Sequence, residues 1–351
     1  MGLARQRKIF LWASGLSTAG SFAGLTAKGW VLMNGTSNPL VLALHFALLS
    51  LPTLLFSGPA GVLTDRHGCE KVLVWSQWGL LAGGSLGAIA IPISSGSNQA
   101  LLLLLSTFAV GIASAYELTA RNKYCALLVD QPQQLGPYLT SFSVVFNVGK
   151  LVGPPIGGWL VAFTGPSLAL LLDASTYLLP IATVVWLLKP RGDQEKRSAA
   201  GSAASLGAAW RGCGLPIRQA LTFTALFCLV GFFHPGLAPF MAFKLVGPSP
   251  QDLGLFTSIL AAGSITGGLV LQKRSLWLSQ RPGLLLGSCG LLTALGQIGI
   301  AIGGHPWWSL AMAFVIGAGT AVLLSGLNLI CQVGTAQELR GRMAGLAQIA
   351  F

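Results

Sequence analysis

Long apolar stretches alternate with short polar loops along almost the whole chain. About 20 consecutive apolar residues are needed for a helix to cross the roughly 30 Å hydrocarbon core of a bilayer. Ten stretches meet this requirement, near residues 9–32, 41–62, 72–93, 100–118, 137–163, 167–188, 220–243, 253–271, 283–303 and 307–331. An eleventh begins at Met343 and reaches the last residue, Phe351. The pattern predicts an all-α membrane protein with ten full spans and the start of another.

Positive charges lie in alternate loops between these spans. All of the 21 lysines and arginines except Lys28, Lys150 and Lys244 either precede the first span or follow an even-numbered one. Loops that carry an excess of lysine and arginine stay in the cytoplasm during membrane insertion. The distribution therefore predicts a multi-pass protein whose N-terminus and central loop are cytoplasmic.

One long polar segment divides the spans into two groups. Residues 189–218 are rich in charged residues, glycine, alanine and serine, a composition typical of a linker. Six predicted spans precede it and four follow it. We therefore expect an N-terminal six-helix bundle over 1–188, a cytoplasmic linker over 189–218 and a C-terminal bundle over 219–351.

Composition narrows the class of function. Charged residues make up only 9% of the chain, which has a formal net charge of +12, whereas soluble domains carry about 25% charged residues. The basic residues form short clusters between spans rather than one basic face, so we expect no nucleic-acid partner. The chain has nine acidic residues, six scattered cysteines without CxxC spacing and no phosphate-binding loop. We therefore expect no metal, no cofactor and no enzymatic activity.

The turn between the second and third spans combines glycine with charge. Its residues Gly61, Asp65, Arg66, Gly68 and Lys71 resemble the loop signature of the major facilitator superfamily, Gly-x-x-x-Asp-Arg-x-Gly-basic-basic. A cysteine and a glutamate stand where two basic residues are usual. The resemblance implies a latch, in which Asp65 accepts hydrogen bonds from a neighbouring helix N-terminus and the basic residues join a charge network on the cytoplasmic rim. The alternative is a solvated turn whose charges only set orientation.

The fifth predicted span contains glycines spaced four residues apart, two consecutive prolines and a further glycine: Gly149, Gly153, Gly157, Pro154, Pro155 and Gly158. Glycines at this spacing share one helix face and permit close approach of another helix. The prolines remove backbone donors and bend the helix. The run resembles the Gly-x-x-x-Gly-Pro-x-x-Gly-Gly element of major facilitator antiporters and drug exporters. The alternative is an ordinary seam of small packing residues.

Four ionisable residues fall within predicted spans, namely Lys28, Glu117, Lys150 and Asp173. A charge at the bilayer centre costs about 2.5–3.5 kcal/mol on insertion scales, so it normally faces a cavity or a partner. Glu117 precedes Arg121 by four residues, the spacing of a helical salt bridge. Lys28 is near the end of its helix, where a lysine can extend to the interface. Lys150 and Asp173 are candidates for a pair lining the substrate path.

Taken together, these features resemble a bacterial major facilitator transporter, in the branch of enterobactin-type siderophore exporters and macrolide or drug efflux proteins. Residues 281–285 and 338–343 are also similar to that branch. The resemblance implies a monomer in the bacterial inner (plasma) membrane, with two six-helix bundles around a central cavity. It places Arg340 and Arg342 on the cytoplasmic rim.

The same resemblance implies a secondary active transporter that exports a small amphipathic molecule, a drug or a siderophore, by alternating access. We expect protons as the coupling ion, with Asp173 and Glu117 as the available carboxylates. An importer of the same superfamily and a non-transporting truncated remnant remain as alternatives. Because the second bundle stops short of its last two helices, we expect the chain to be an incomplete version of a twelve-helix protein of about 400 residues.

Overall fold

Helices with short connections make up the described part of the chain. The computed structural model describes residues 3–129, 132–187, 210, 212–333, 347 and 350, and these contain no β-strand. The first group of helices is α1 (Leu3–Thr36), α2 (Pro39–His67), α3 (Cys69–Ile93), α4 (Gly96–Leu127), α5 (Pro132–Thr164), α6 (Pro166–Thr176) and α7 (Leu178–Ala182), followed by a π-helical turn over Thr183–Leu187. The later helices are α8 (Leu215–Gly231), α9 (His234–Leu245), α10 (Pro250–Ser279), α11 (Pro282–Ile302) and α12 (Pro306–Val333).

Proline and glycine set many of the helix boundaries. Six helices begin with a proline, at Pro39, Pro132, Pro166, Pro250, Pro282 and Pro306. Proline suits this position because the first helical N–H has no intrahelical partner in any case and its fixed φ is already helical. The Asn38 side chain caps α2 by accepting a hydrogen bond from the Leu40 N–H at 2.9 Å.

Nine segments of the described residues are long and apolar enough to cross a membrane. Among them, α6 joins α7 and the π-helical turn into one segment over Pro166–Trp186, and α8 joins α9 over Leu215–Leu245. The remaining one of the ten predicted spans is the first, α1, which is 34 residues long, about 51 Å at 1.5 Å per residue. It is long enough to cross but is not among the nine, because serines, threonines and glycines dilute its apolar residues.

The described residues form two compact units. The first contains α1 to α7 together with residues 236–243 and 248–258. The second contains α8 and the residues after it up to Pro235, residues 244–247 and the described residues from Ile259 onward. Most of the predicted linker over 189–218 lies outside the described residues. So do Arg340, Arg342 and most of the eleventh apolar stretch.

In the second unit, α11 packs along α12, and α10 approaches α12 closely. A methyl group added at Gly267 of α10 would lie 2.6 Å from the Ala318 carbonyl oxygen of α12. Glycine therefore allows these two backbones to meet, as is usual where helices pack without a hydrophobic driving force.

The seventh span is interrupted between α8 and α9, at Phe232 and Phe233. Pro235 has no N–H, so the Gly231 carbonyl loses the donor that a continuous helix would supply. The Gln297 side chain of α11 supplies it instead, with its Nε2 donating to the Gly231 oxygen at 2.6 Å. In lipid an unsatisfied carbonyl costs several kcal/mol, so this contact makes the interruption tolerable.

Replacing Gln297 by Leu should lower stability, because the leucine fills similar space but leaves the Gly231 carbonyl without its donor. We expect a loss of about 1–3 kcal/mol of unfolding free energy. The measurement is the thermal unfolding midpoint of the purified protein in detergent. Gln272→Leu, at an exposed position of α10, is the matched control; equal midpoints for the two variants would contradict the role of Gln297.

Candidate functional site

The charged turn between α2 and α3 is a single glycine long. Gly68 ends α2 and precedes α3, with φ 86° and ψ 142°, a conformation that only glycine adopts without strain. Its N–H donates to the Thr64 carbonyl at 3.1 Å, closing the last turn of α2. Gly68 therefore reverses the chain directly after Asp65 and Arg66, and both side chains are exposed. By contrast, a methyl group added at Gly61 would meet nothing within 4 Å.

Asp65 forms an ion pair with Lys123, near the end of α4. The two side chains are 55% and 40% exposed respectively, so the pair contributes about 0.2–1 kcal/mol at most. No other partner of Asp65 occurs in the described part of the chain. Arg66 and Lys71 are exposed and form no ion pair within it. The pair nevertheless ties the end of α2 to the end of α4.

An aromatic cluster lies under this turn and joins α1, α4 and α5. The Phe10 ring packs edge-on against Tyr124, with 4.9 Å between centroids, and at a tilt against Phe142, with 5.7 Å between centroids. The Arg121 guanidinium lies over Phe142 at 5.7 Å and forms the predicted i,i+4 salt bridge with Glu117 at 3.2 Å. Glu117 therefore has a fixed partner on its own helix.

Tyr138 of α5 fastens the same region to the start of α1. Its hydroxyl donates to the Arg7 carbonyl at 3.0 Å. The Tyr138 side chain is buried, so water competes little for this hydrogen bond.

The glycine face of α5 lies against α1. A methyl group at Gly149 would lie 3.1 Å from the Thr18 side chain, and one at Gly153 would lie 2.6 Å from the Ala19 carbonyl oxygen. One at Gly157 would overlap the Ala23 backbone. These three positions therefore require glycine for the observed approach of the two helices.

The other side of the same run faces the start of α10. A methyl group at Gly158 would overlap the Pro250 carbonyl, and one at Gly254 of α10 would lie 2.7 Å from the Pro154 carbonyl oxygen. Ser258 donates to the Leu151 carbonyl at 2.8 Å. Residues 149–158 thus form two seams, one with α1 and one with the first turns of α10.

Lys28 and Asp173 lie near each other inside the first unit, although the described structure has no direct ion pair between them. Both are buried, with 6% and 7% exposure, and they attract each other electrostatically. Lys28 does not extend to the interface as the sequence suggested, because its amine donates to the Ser106 hydroxyl of α4 at 2.7 Å. The partner of Asp173 is therefore Lys28 and not Lys150. Lys150 is half-buried on α5 and forms no hydrogen bond or ion pair within the described residues.

Sequence analysis did not single out several other polar side chains near this pair. His45 of α2 is buried, and its Nδ1 lies 2.9 Å from the Thr107 hydroxyl. The Tyr177 hydroxyl lies 2.9 Å from that of Ser21. Scattered serines, threonines and histidines are common in membrane helices, so their convergence becomes visible only once the helices are packed.

Comparison with known proteins identifies the family to which this helical architecture belongs. A profile of the Major Facilitator Superfamily matches residues 10–351. The chain belongs to the Major Facilitator Superfamily. It is therefore a multi-pass membrane transporter and not an enzyme, and its setting is a lipid bilayer with a small molecule as substrate.

Named relatives within the superfamily are distant. The multidrug efflux pump Tap of Mycolicibacterium fortuitum is 21% identical over 353 residues, which cover 96% of this chain and 83% of the relative. The MFS-type transporter YfiS of Bacillus subtilis (strain 168) is 22% identical over 329 residues, covering 90% and 75%. Both alignments extend through most of each protein, and the one with Tap supports the drug-efflux branch of the superfamily.

Solved structures show the same fold. A bacterial homologue of the iron transporter ferroportin, in an inward-facing state, aligns with a TM-score of 0.74 at 18% identity and covers 100% of this chain and 89% of its own. A bacterial homologue of the human lysosomal transporter Spinster aligns with a TM-score of 0.74 at 14% identity, covering 98% and 79%. The major facilitator fold predicted from the sequence is confirmed.

Replacing Gly153 by Ala should separate α5 from α1, because its methyl group would lie 2.6 Å from a backbone oxygen that has no side-chain freedom to move. We expect a loss of about 1–3 kcal/mol in stability, and a larger loss for Gly153→Leu. Thermal unfolding in detergent is the measurement. Gly287→Ala of α11, where a methyl group meets nothing within 4 Å, is the control; equal melting of the two alanine variants would show that the seam tolerates the group.

Proposed function

We propose that the protein exports small amphipathic molecules, drugs or siderophores, by alternating access driven by the proton gradient. The alignment that supports export is the one with the multidrug efflux pump Tap, which extends over 96% of this chain. The positive-inside distribution of lysine and arginine supports an orientation with the N-terminus and the central loop in the cytoplasm. In that orientation the α2–α3 turn and the end of α4 lie on the cytoplasmic side.

The Asp65–Lys123 pair is suited to a latch that opens once in each transport cycle. Both side chains are partly solvated, so breaking the pair costs little and water replaces each partner's contacts. Because Gly68 holds the turn by backbone geometry alone, the turn persists when the pair is broken. The pair thus biases one arrangement of α2 and α4 without making it permanent.

Protons are the coupling ion that the residues favour. The sequence contains no Gly-x-x-x-x-Gly-Lys-Ser/Thr loop for a nucleoside triphosphate, so the energy for uphill transport must come from an ion gradient. Glu117 and Asp173 are carboxylates inside spans of the first unit, where ionisable residues commonly serve as proton relays.

Export should appear as uphill uptake in inverted membrane vesicles that contain the protein, with ethidium, a fluorescent amphipathic cation, as the probe. Uptake should require an inward-acid pH gradient and should collapse when a protonophore is added, because the gradient supplies the free energy. Vesicles without the protein are the control. Uptake that is unchanged by the protonophore would contradict proton coupling, and ethidium extrusion from the same vesicles would indicate an importer.

Asp65→Asn should reduce the rate of ethidium uptake while leaving the amount of protein in the membrane unchanged, because the latch loses its charge but Gly68 still forms the turn. Lys123→Asp should have the same effect. The exchanged pair Asp65→Lys with Lys123→Asp restores opposite charges and should recover transport. Normal rates in Asp65→Asn, or no recovery in the exchanged pair, would contradict a latch that depends on this attraction.

A further inference from the structure

The interior of the first unit contains a polar cluster formed by three of its helices. Lys28 of α1, Ser106 of α4 and Asp173 of α6 meet there, and each is at most 7% exposed. Glycines make the space: a methyl group at Gly24 would overlap the Asp173 carboxylate. One at Gly87 of α3 would lie 2.7 Å from the Ser106 hydroxyl and 3.0 Å from Lys28 Cε. The helix packing is therefore shaped around these side chains.

Lys28 is held in one place by its partners. Its amine donates to the Ser106 hydroxyl at 2.7 Å, and that hydroxyl donates its own proton to the Gly83 carbonyl at 2.7 Å. The Ser106 oxygen can therefore only accept from Lys28. The Lys28 amine has three N–H donors but only one neutral acceptor here, the Ser106 hydroxyl. Its positive charge is therefore balanced by the negative charge of Asp173.

Asp173 is short of donors. Its Oδ1 is buried and has no hydrogen-bond partner among the described residues. The Tyr177 hydroxyl lies within hydrogen-bonding reach of the carboxyl group and 2.9 Å from the Ser21 hydroxyl. Ser21 already donates to the Ser17 carbonyl at 3.0 Å, so both Ser21 and Asp173 compete for the single Tyr177 proton. A carboxylate in this position has one full charge and too few donors to stabilise it.

The other titratable groups near Asp173 are few. From α1 it faces Lys28, and from its own span it faces Tyr177; α3 and α5 add no charged group that interacts with it within the described residues. Two further groups interact with these neighbours and not with Asp173 itself. His45 of α2 interacts electrostatically with Lys28, and Glu117 of α4 interacts with Tyr177.

His45 stays neutral in this arrangement. Thr107 donates its hydroxyl proton to the Leu103 carbonyl at 2.9 Å, so His45 Nδ1 donates to Thr107. Its Nε2 is buried and has no hydrogen-bond partner in the described part of the chain, so a proton on Nε2 would be an unsatisfied buried donor and the neutral ring is favoured. No second positive charge therefore competes with Lys28 for Asp173.

Glu117 differs from Asp173 in its partner and in its position. It is already paired with Arg121 on the same helix at 3.2 Å. It also lies about 16 Å farther along α4 than Ser106 at 1.5 Å per residue. Of the two, Asp173 is the one with an unsatisfied buried oxygen among the described residues.

We propose that Asp173 is the residue at which the coupling proton binds and that Lys28 is its positioning residue. The inference rests on the proposed proton-driven export. One proton binds the Asp173 carboxylate from the outer side and leaves to the cytoplasm in each cycle; no other bond forms or breaks. Binding cancels the attraction between α1 and α6 and leaves Lys28 held by Ser106. Release restores the attraction, so the proton alternates the packing of these two helices.

Two measurements test this on the full chain, purified and reconstituted in lipid vesicles. Infrared difference spectra recorded while pH is lowered report the carbonyl band of a protonated buried carboxyl group without any substrate. The band should be absent in Asp173→Asn and present in Glu117→Gln. In Lys28→Met it should appear at higher pH, because removing the neighbouring positive charge makes proton binding easier. A merely structural lysine would not move that titration.

Ethidium transport supplies the second measurement. Asp173→Asn should lose uphill, gradient-driven uptake and keep downhill equilibration, whereas the wild-type protein should show both. If Asp173→Asn does not fold, the charge-neutral double variant Lys28→Met with Asp173→Asn takes its place, since it leaves no unpaired buried charge. Gradient-driven uptake in either Asp173 variant, or the same infrared band in Asp173→Asn, would overturn the assignment.

The outcomes separate this inference from the proposed function. Wild-type protein that moves no ethidium against a gradient would contradict proton-driven export. Wild-type protein that does so while Asp173→Asn does so equally well would contradict only the role of Asp173. Uptake restored by the double variant would assign Lys28 and Asp173 a structural role alone.

Discussion

The close approach of α1 to its neighbours is the constraint on which the rest of the first unit depends. Helices in lipid gain little from burying apolar side chains against one another, so they associate where small residues let backbones meet. Because Gly20 and Gly24 of α1 have no side chain, Thr176 and Asp173 of α6 pack directly against them. On another side of α1, its backbone packs against the glycines of α5. Lys28 lies one turn beyond Gly24 on the same face. The packing that brings helices together therefore also brings the two charges together.

Two pairs of opposite charges in the first unit, Asp65 with Lys123 and Lys28 with Asp173, differ in how far water reaches them. Asp65 and Lys123 are about half-exposed, so water competes with the pair and either partner separates at little cost. Lys28 and Asp173 are almost fully buried. Separating them or neutralising one of them is expensive unless a proton or a hydrogen bond replaces the lost partner. The exposed pair is therefore suited to break when helices move. The buried pair is suited to make helices move when its charge changes.

Much of this fold could be predicted from local chemistry. Apolar length fixes the number of spans, proline marks where helices begin, and the single-residue turn requires glycine at position 68. The pairings of charged residues could not be predicted. Lys123 and Asp65 are far apart in sequence, and glycines at four-residue spacing occur in several spans without indicating which helix each will contact. The sequence analysis thus paired Asp173 with Lys150, and only the packing of α1 against α6 brings Lys28 near Asp173 instead.

The interruption of the seventh span also could not be predicted from the sequence, because it too depends on a contact between distant residues. Residues 220–243 form one apolar stretch by composition, and a histidine next to a proline is too weak a signal to divide it. What makes the break stable is Gln297, which is distant in sequence and lies in an otherwise apolar helix. Long-range satisfaction of a backbone group leaves no local pattern, so hydropathy alone predicts a continuous helix there.

The contact between Gln297 and Gly231 also has a consequence for biogenesis. The ribosome makes α8 and α9 before α11, so the interrupted span reaches the translocon while the side chain that completes it has not yet been synthesised. Until α11 arrives, the Gly231 carbonyl depends on water or on the translocon itself. Transfer of this span into lipid is therefore favoured only after two further spans have been made, and the segment is expected to leave the translocon together with them rather than alone.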